Sequence, residues 1–407
     1  MKTPFLAIDL GSANIKALVA QIDAQGLNII LPACRKSRGI KEGVSNNLEE
    51  AAEELDSLIA EIESMLKNVA FREATIGIGG SHLETRLSKG VAVVARPDQE
   101  IGEDDVRRAN KAAEAFALPS NRSLIQAALR SYVVDGVAKV KDPIGMKGLK
   151  IETECLLIDA FTPFIHSIDR LGEMINIKFI PKIVLPYAGA EIALTTQDKD
   201  LGAIALDLGA STTGLCVYEN NEILDLKVFS VGGNAVTNDI AVGLKTSVNI
   251  AEKIKINEGL ALKKKVLKNK NEDINWGIYY EEDNAGDKVS KKFLAEIIEA
   301  RLSEIFDLVA KRLKEIDRFE KLPGGVVIYG GGAKMPFIVD LAKERLKLPV
   351  RIAKPEIDWY QESPDLSFVP VLGLLVLRAQ GQGEGFISLE EGFFRKITRF
   401  FKNIFSI

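Results

Sequence analysis

The sequence has little of what metal centres and disulfide frameworks require. Three cysteines, Cys34, Cys155 and Cys216, lie far apart without a CxxC pair, and His82 and His166 are the only histidines. A structural zinc site takes four clustered ligands, so the sequence predicts no such site. The cysteines are predicted to be buried free thiols.

Long apolar runs are also missing. The longest uncharged apolar run near the C-terminus, FVPVLGLLVL at residues 368–377, has ten residues. A helix needs roughly 20 apolar residues to cross a bilayer. The N-terminus, MKTPFLAIDLG, passes directly into a strand-like pattern, without the apolar region and cleavage site of a signal peptide. We therefore expect a cytoplasmic protein without a membrane span.

Acidic residues are absent from the last sixteen positions. The formal net charge of the chain is −4, whereas residues 392–407 carry four cations and no acid, so −4 minus +4 leaves −8 for the rest. A mildly acidic body with a basic C-terminal segment argues against a broad nucleic-acid surface. It indicates a local anionic target for the segment.

The chain contains an internal repeat. LAIDLGSAN at residues 6–14 resembles IALDLGAST at residues 204–212, and the two aspartates, Asp9 and Asp207, are 198 positions apart. In each copy an apolar strand ends in Asp-x-Gly, and two further strand-like segments follow. This pattern predicts a β-meander at the start of each of two similar halves.

The repeated Asp-x-Gly also indicates phosphate chemistry. Gly11 and Gly209 allow backbone N–H groups to close around phosphate oxygens. Asp9 and Asp207 are predicted to hold a hydrated Mg²⁺, which prefers one or two carboxylates together with phosphate oxygens. A single copy of so short a motif is better explained as a hairpin turn. Two copies at equivalent places favour the phosphate site.

A glycine-rich element lies late in the chain. GGVVIYGGGAKMPFIVDLAKERL, residues 324–346, predicts a buried strand, a turn at Gly330–Gly332 and then a helix. The helix has three apolar residues available for one face: Phe337, Leu341 and Leu346. A glycine turn at a helix N-terminus lets a ligand approach the backbone closely.

Two phosphate hairpins and a glycine turn are the layout of the superfamily of actin, sugar kinases and heat-shock chaperone ATPases. Three longer segments resemble the FtsA family, the bacterial actin homologues that tie the FtsZ ring to the membrane. They are SVGGNAVTNDIAVGLKTSVNIAEKIKINEG at 230–259, VDGVAKVKDPIGMKGLKIE at 134–152 and AEIIEARLSEIFDLVAKRL at 295–313. The resemblance covers essentially the whole chain. It implies an α/β actin-like ATPase fold of two duplicated RNase H-like halves, with an inserted α+β subdomain and a C-terminal amphipathic helix.

The resemblance implies ATP and Mg²⁺ as cofactors. The positions that match the family's nucleotide site are Gly11, Ser12, Ala13, Asn14, Lys16, Gly209, Ser211, Thr212, Thr213, Gly232, Gly233, Asn234, Glu252, Lys255, Gly330, Gly331, Gly332, Ala333 and Lys334. Asp9 and Asp207 would hold the Mg²⁺ mostly through water. Without the resemblance, Glu252 and Lys255 would be interpreted as a helical salt bridge at i, i+3.

The resemblance also implies a division of the chain. Subdomain IA comprises residues 1–82, 161–197 and 365–379, and the inserted subdomain IC comprises 83–160. Subdomain IIA comprises 198–232 and 325–364, and subdomain IIB comprises 233–324. A linker, 380–391, precedes the terminal segment 392–407.

Two positions depart from the family pattern. The family usually has an acidic residue before the proline that precedes the second hairpin, where it can orient the attacking water, but this chain has Leu185 before Pro186. A general base typically contributes 10²–10⁴-fold. Glu191 follows, but the sequence does not place it at the γ-phosphate. Ala210 stands where a glycine is common and needs an allowed φ. We expect ATP binding with slow hydrolysis at most and assign no catalytic residue.

The resemblance implies three kinds of protein contact. Arg301 and Glu304, in an amphipathic helical pattern, match the residues that receive the FtsZ tail. Self-polymerisation and recruitment of other division proteins would involve the inserted subdomain. The alternative for the helical segment is a solvated surface helix packed on one side.

The terminal segment GFFRKITRFFKNIFSI places its apolar residues on one helical stripe: Phe393, Phe394, Ile397, Phe400, Phe401, Ile404 and Phe405. Its cations lie on the opposite or flanking side: Arg395, Lys396, Arg399 and Lys402. This pattern predicts a helix in the membrane interface, with cations at anionic headgroups. The alternative is a helix that docks on the protein's own core or in a partner's groove. The cations and the glycine-spaced linker favour the membrane.

The sequence therefore predicts an ATP-binding, polymerising protein that anchors the FtsZ ring at the division site, on the cytoplasmic face of the bacterial inner membrane. One alternative is a small-molecule kinase of the same superfamily, which needs a carboxylate base and has no use for the tail. The other is the pilus-assembly relative, which shares the inserted subdomain but is recruited by partner peptides.

Overall fold

The structure is a computed structural model that describes residues 3–23, 26–67, 69–115, 118–266, 273–279, 288–362, 364–381 and 386–387. The terminal segment 392–407, with all its predicted membrane-binding residues, lies outside these ranges, as does most of the linker. In the described part of the chain, no helix combines the length and apolarity that a bilayer span needs.

The chain begins with a meander and returns to the same sheet twice. The first elements are β1 (Phe5–Leu10), β2 (Asn14–Asp23), β3 (Gly26–Lys36), β4 (Ile40–Lys41), β5 (Val44–Ser45), α1 (Leu48–Leu66) and β6 (Glu73–Ile78). The inserted elements are β7 (Glu84–Val93), α2 (Glu103–Glu114), β8 (Arg122–Val134), β9 (Ala138–Val140) and β10 (Lys150–Phe161). The chain then forms α3 (Thr162–Met174), β11 (Lys178–Val184), α4 (Leu185–Ala193) and α5 (Thr196–Leu201).

The second half repeats the meander and ends beside the first half. Its elements are β12 (Ala203–Leu208), β13 (Thr213–Glu219), β14 (Glu222–Phe229), α6 (Gly233–Leu244), α7 (Val248–Glu258), β15 (Asp273–Asn275), β16 (Lys288–Ser290), α8 (Lys291–Glu315), β17 (Gly325–Tyr329), α9 (Ile338–Leu346), β18 (Val350–Ile352) and α10 (Asp358–Glu362). The chain closes with α11 (Val369–Ala379) and β19 (Phe386–Ile387).

The two large sheets have the same topology, which confirms the predicted duplication. Their strand orders are β3-β2-β1-β6-β11 and β14-β13-β12-β17-β18. In both, the strand that ends in Asp-x-Gly pairs antiparallel with the next strand and parallel with a later one. Side chains of β12 alternate between the faces of the sheet, and Ala203 and Ala205 face a different core cluster from Ile204 and Leu206.

The inserted subdomain is a small α+β unit. Its sheet has the order β19-β8-β10-β7, with β9 paired to β8. Helix α2 begins with three acids, Glu103, Asp104 and Asp105, which suits the positive end of the helix dipole. The backbone N–H of Gly102 donates to the Asp105 carboxylate at 3.0 Å and completes the first turn.

Helices α4 and α11 pack against each other at the junction of the halves. A Cβ on Gly373 of α11 would lie 2.0 Å from the carbonyl oxygen of Ala188 in α4. Only glycine permits this approach. Since α4 also contacts β12 of the second half, the two helices connect the halves, and we call this pair the hinge.

The structure corrects two expectations. Cys34 is exposed, whereas Cys155 and Cys216 are buried as predicted, because Cys34 lies on the meander face that borders the cleft. Phe337 is not on the buried face of α9. It precedes the helix with a left-handed φ of 63° and is 42% exposed, whereas Leu341 and Leu346 are buried. The glycine turn therefore leads into a short 3₁₀ turn at Gly331–Lys334 and not directly into α9.

Gly373→Ala is expected to destabilise the fold by about 1–3 kcal/mol, because the added methyl group overlaps a helix backbone that cannot move alone. Thermal or urea unfolding measures the change. Gly331→Ala is the matched control, since a Cβ there meets no atom within 4 Å. Equal stability of the two variants would contradict the close hinge contact.

Candidate functional site

The first hairpin places a row of polar side chains beside the cleft, which is the space between the two halves. In the meander, Asp9 of β1 lies opposite Lys16 of β2, and Lys16 lies opposite Cys34 of β3. The Lys16 ammonium donates to the Asp9 carboxylate at 3.2 Å, and both side chains are buried. Ser12 and Ala13 form the turn between the strands. A Cβ on Gly11 would lie 2.6 Å from the Asn14 carbonyl oxygen, so the turn is tight.

The second hairpin has the same construction. The backbone N–H of Gly209 donates to the Thr212 carbonyl at 3.0 Å and closes the turn that follows Asp207. The Thr213 hydroxyl donates to the Val231 carbonyl at 2.8 Å. Ala210 was expected to need an allowed φ, and its φ is not in the left-handed region.

The two hairpins meet across the cleft, and their charges interact. Burial raises the pKa of the Asp207 carboxyl, Asp9 raises it further and Lys16 lowers it, with a net value of about 7. Burial alone would lower the pKa of Lys16, but Asp9 and Asp207 more than offset this and raise it. Lys16 pairs directly with Asp9, and Asp207 interacts with both charges at longer range, so an additional cation beside Asp207 would be favoured.

The glycine turn completes the site on the second half. Gly330 has a φ of 87°, and a Cβ there would lie 2.2 Å from an oxygen of Asp207. Gly331 borders open space, and Ala333 is buried. Lys334 pairs with Asp365 at 2.9 Å, a partner that sequence reasoning missed because it lies beyond β18.

The loop before α6 is bonded directly to the second hairpin. Backbone N–H groups of Gly233 and Asn234 donate to the carbonyls of Gly209 and Ala210 at 2.9 and 2.7 Å. The Asn234 amide donates to the Ser211 hydroxyl at 3.0 Å. A Cβ on Gly232 would lie 2.6 Å from the Gly209 carbonyl oxygen. The close approach explains the glycine at position 232.

Glu252 and Lys255 lie beside the same loop. Their ion pair measures 2.6 Å, as the helical spacing alone would produce. Lys255 also donates to the Gly233 carbonyl at 3.2 Å and to the Thr237 hydroxyl at 2.8 Å, and Thr237 donates to Glu252. Thr237 was missed by sequence reasoning. Its position one helical turn after Gly233 was the available signal.

Neither Leu185 nor Glu191 is placed to act as a general base. Leu185 covers two glycines of the first half, and a Cβ on Gly77 would lie 2.3 Å from it. The Glu191 carboxylate is buried, pairs with Lys199 at 2.8 Å and accepts a hydrogen bond from the Tyr218 hydroxyl. Glu191 therefore stabilises the hinge through these two bonds.

The site suits phosphate and a hydrated Mg²⁺ better than a protein-enclosed metal. Asp9 and Asp207 supply two carboxylates, and in the described residues no cluster contains three or more potential metal ligands. Mg²⁺ commonly keeps waters and takes one or two carboxylates with phosphate oxygens. Lys16 and the backbone N–H groups of a tight hairpin are the kinds of donor that bind phosphate.

Arg301 and Glu304 lie elsewhere, on α8, and pair with each other at 2.6 Å. The Arg301 guanidinium also binds both oxygens of Asp239 in α6, at 2.6 and 3.0 Å. Sequence reasoning missed Asp239, which is distant in the chain. The guanidinium is held by two carboxylates, so the pair forms part of a charged patch between α6 and α8.

Asp207→Asn is expected to stabilise the protein, and more at pH 8 than at pH 5. A folded pKa of about 7, above the ordinary value of 3.8, means that ionisation costs folding free energy as the pH rises. The expected gain at pH 8 is on the order of 1–3 kcal/mol. Thermal unfolding at both pH values measures it. Asp225→Asn is the control and should destabilise, since Asp225 pairs with Arg312. A gain that does not grow with pH would contradict the assignment.

Comparisons with known proteins show the family. The family model described as cell division protein FtsA matches residues 204–373, and the SHS2 domain inserted in FtsA matches residues 80–159. FtsA of Pseudomonas aeruginosa is 31% identical over 351 residues, which are 86% of this chain and 82% of the relative. FtsA of Bacillus subtilis is 29% identical over 392 residues, 95% of this chain and 87% of the relative.

Solved structures share the fold at low identity. The PilM–PilN type IV pilus biogenesis complex has a TM-score of 0.64 at 17% identity and covers 92% of this chain and 98% of its own. MreB5 of Spiroplasma citri bound to ADP has a TM-score of 0.55 at 15% identity and covers 97% and 98%. The fold is that of the actin-like ATPases, and the chain belongs to the FtsA family of cell division proteins.

Proposed function

We propose that the chain binds ATP with Mg²⁺ between the two hairpins and polymerises. We further propose that it anchors the FtsZ ring to the cytoplasmic face of the bacterial inner membrane and recruits later division proteins. The observation that carries the nucleotide site is the cluster of Asp9, Lys16 and Asp207, in which the Lys16 ammonium pairs with one aspartate and interacts electrostatically with the equivalent one. Family membership favours this function over a small-molecule kinase or a pilus-assembly platform.

Each part of the site has a proposed role. Backbone N–H groups of the hairpins and the Lys16 ammonium bind the phosphates. Asp9 and Asp207 orient the waters of the bound Mg²⁺, which neutralises phosphate charge. Glu252 and Lys255 hold the ribose and adenine, and the residues from Gly330 to Lys334 border the adenosine. The loop of Gly232, Gly233 and Asn234 contacts both the second hairpin and Lys255, so it connects the phosphate side of the site with the adenosine side.

Hydrolysis is proposed to be slow. Leu185 has no group that accepts a proton or orients water, and its side chain packs against Gly77 of β6 and Gly79 just after it. Glu191 is committed to Lys199 and Tyr218. The factor of 10²–10⁴ that a general base typically supplies is therefore not expected. In this proposal, nucleotide binding serves mainly to set the arrangement of the two halves.

The FtsZ tail is proposed to bind the charged patch of Arg301, Glu304 and Asp239. The bidentate pair with Asp239 holds the guanidinium in place, so little side-chain freedom is lost when the peptide binds. The terminal segment supplies the membrane end. One short amphipathic helix binds membranes reversibly, and a polymer that presents many of them binds firmly.

Saturating MgATP is expected to slow the alkylation of Cys34 several-fold. Cys34 is exposed beside Lys16, whereas Cys155 and Cys216 are buried and should stay unreactive. Mass spectrometry after iodoacetamide treatment measures the rate. Cys34→Ser is the labelling control, and Lys16→Ala should abolish the protection. Equal rates with and without nucleotide would contradict a site at this cleft.

A version that ends at Glu391 is expected to lose sedimentation with anionic liposomes while it keeps binding to an FtsZ tail peptide. The segment removed carries the predicted apolar stripe and four cations. A full chain whose last sixteen residues are scrambled serves as the control, since it keeps the composition without the stripe. Undiminished membrane binding by the truncated protein would overturn the anchoring role.

A further inference from the structure

The inserted subdomain is rooted in the first half. The Arg122 guanidinium at its base pairs with the fully buried Asp159 carboxylate and donates to the His82 carbonyl of the first half at 2.7 Å. The Gln126 side chain accepts a hydrogen bond from the Val184 backbone of β11 at 2.8 Å. Both chain connections of the subdomain also lie in the first half. We therefore expect it to move with that half.

The same subdomain also forms ion pairs with the second half. Glu222, the first residue of β14, pairs with Lys141 at 2.7 Å and lies 3.5 Å from Arg130. Lys141 also donates to the Asn220 carbonyl at 3.3 Å. The Glu222 side chain is only 10% exposed, and Lys141 and Arg130 are its ion-pair partners. Loss of a partner is costly for a carboxylate so far removed from water.

The β13–β14 turn that carries Glu222 is fixed to the hinge. Backbone N–H groups of Asn220 and Asn221 donate to the carbonyls of Asp200 and Lys199 in α5, at 3.1 and 3.0 Å. Lys199 in turn pairs with Glu191 of α4 at 2.8 Å. Glu222 therefore moves with the second half and with the hinge helix.

Apolar packing supports these ion pairs. One buried cluster contains residues of both the inserted subdomain and β14: Ala128, Leu156, Ile158, Ile223, Leu226 and Val228. The ion pairs thus border a packed interface, unlike an isolated surface salt bridge, which contributes little. The inserted subdomain therefore connects the halves in addition to the two chain crossings at the hinge.

We propose that Glu222, Lys141 and Arg130 form a latch through which the inserted subdomain senses rotation between the halves when nucleotide binds. The proposal rests on the nucleotide site proposed above. A rotation that displaces the turn by about 1 Å takes the bond between Lys141 and Glu222 beyond hydrogen-bonding distance. The inserted subdomain must then shift with the turn or lose the latch. In either case the contacts of the inserted subdomain change when the two halves rotate about the cleft.

Hydrogen exchange of the full chain with and without MgADP tests the latch. In the unmodified protein, MgADP is expected to change exchange in residues 11–16 and 209–213, and also in residues 122–141 and 219–226. In Lys141→Met the cleft response should remain, while the response of 122–141 falls about twofold or more, in line with typical coupling between sites. Lys89→Met is the matched control. Its pair with Glu154 is equally short, 2.6 Å, but lies within the inserted subdomain.

The outcomes separate the two proposals. A cleft response without a response in 122–141, or an equal response in Lys141→Met and the unmodified protein, would overturn the latch and leave the nucleotide site standing. No response in either hairpin would overturn both. Glu222→Gln provides a second variant, since glutamine keeps hydrogen bonds and removes the charge. It should show the same loss if its thermal unfolding remains cooperative.

Discussion

The close contact between α4 and α11 is the constraint on which the molecule depends. Gly373 lets the two helix backbones approach within a distance that any Cβ would prevent. The contact sets how the second sheet lies against the first, and it thereby brings Asp9 and Asp207 into one cleft. Glu191 of α4 reaches Lys199 and Tyr218, so the same helix that separates the halves is held by a buried ion pair. A looser hinge would leave the hairpins without a common ligand.

Electrostatics then support the proposed binding of a cation together with an anion in the cleft. Lys16 compensates one carboxylate directly, and Asp207 remains costly to ionise, so a divalent cation is favoured there. The inserted subdomain extends this arrangement to the outside of the molecule. It is bonded to one half through Arg122 and Gln126 and pairs with Glu222 of the other.

Much of the fold could be predicted from the sequence because its signals are local. Asp-x-Gly after an apolar strand, the Asn220–Asn221 turn and the acids at the start of α2 each act within a few residues. The duplicated meander and the inserted α+β unit followed from such patterns and are confirmed. The predictions for Cys34 and Phe337 were wrong because contacts beyond the local sequence decide their positions. The exposure of Cys34 depends on a face that borders a cleft, and the left-handed Phe337 depends on how a 3₁₀ turn joins α9.

By itself the sequence determined the strand order within each meander, the positions of the glycines and the family to which the chain belongs. Only the tertiary structure decided which charges meet. Asp365 beside Lys334, Asp239 beside Arg301 and Lys141 beside Glu222 are pairs distant in the chain. No periodicity connects such residues, because their contact is set by the packing of whole elements. Turns and strands follow from neighbouring residues, whereas ion pairs between subdomains follow from where a close-packed hinge places them.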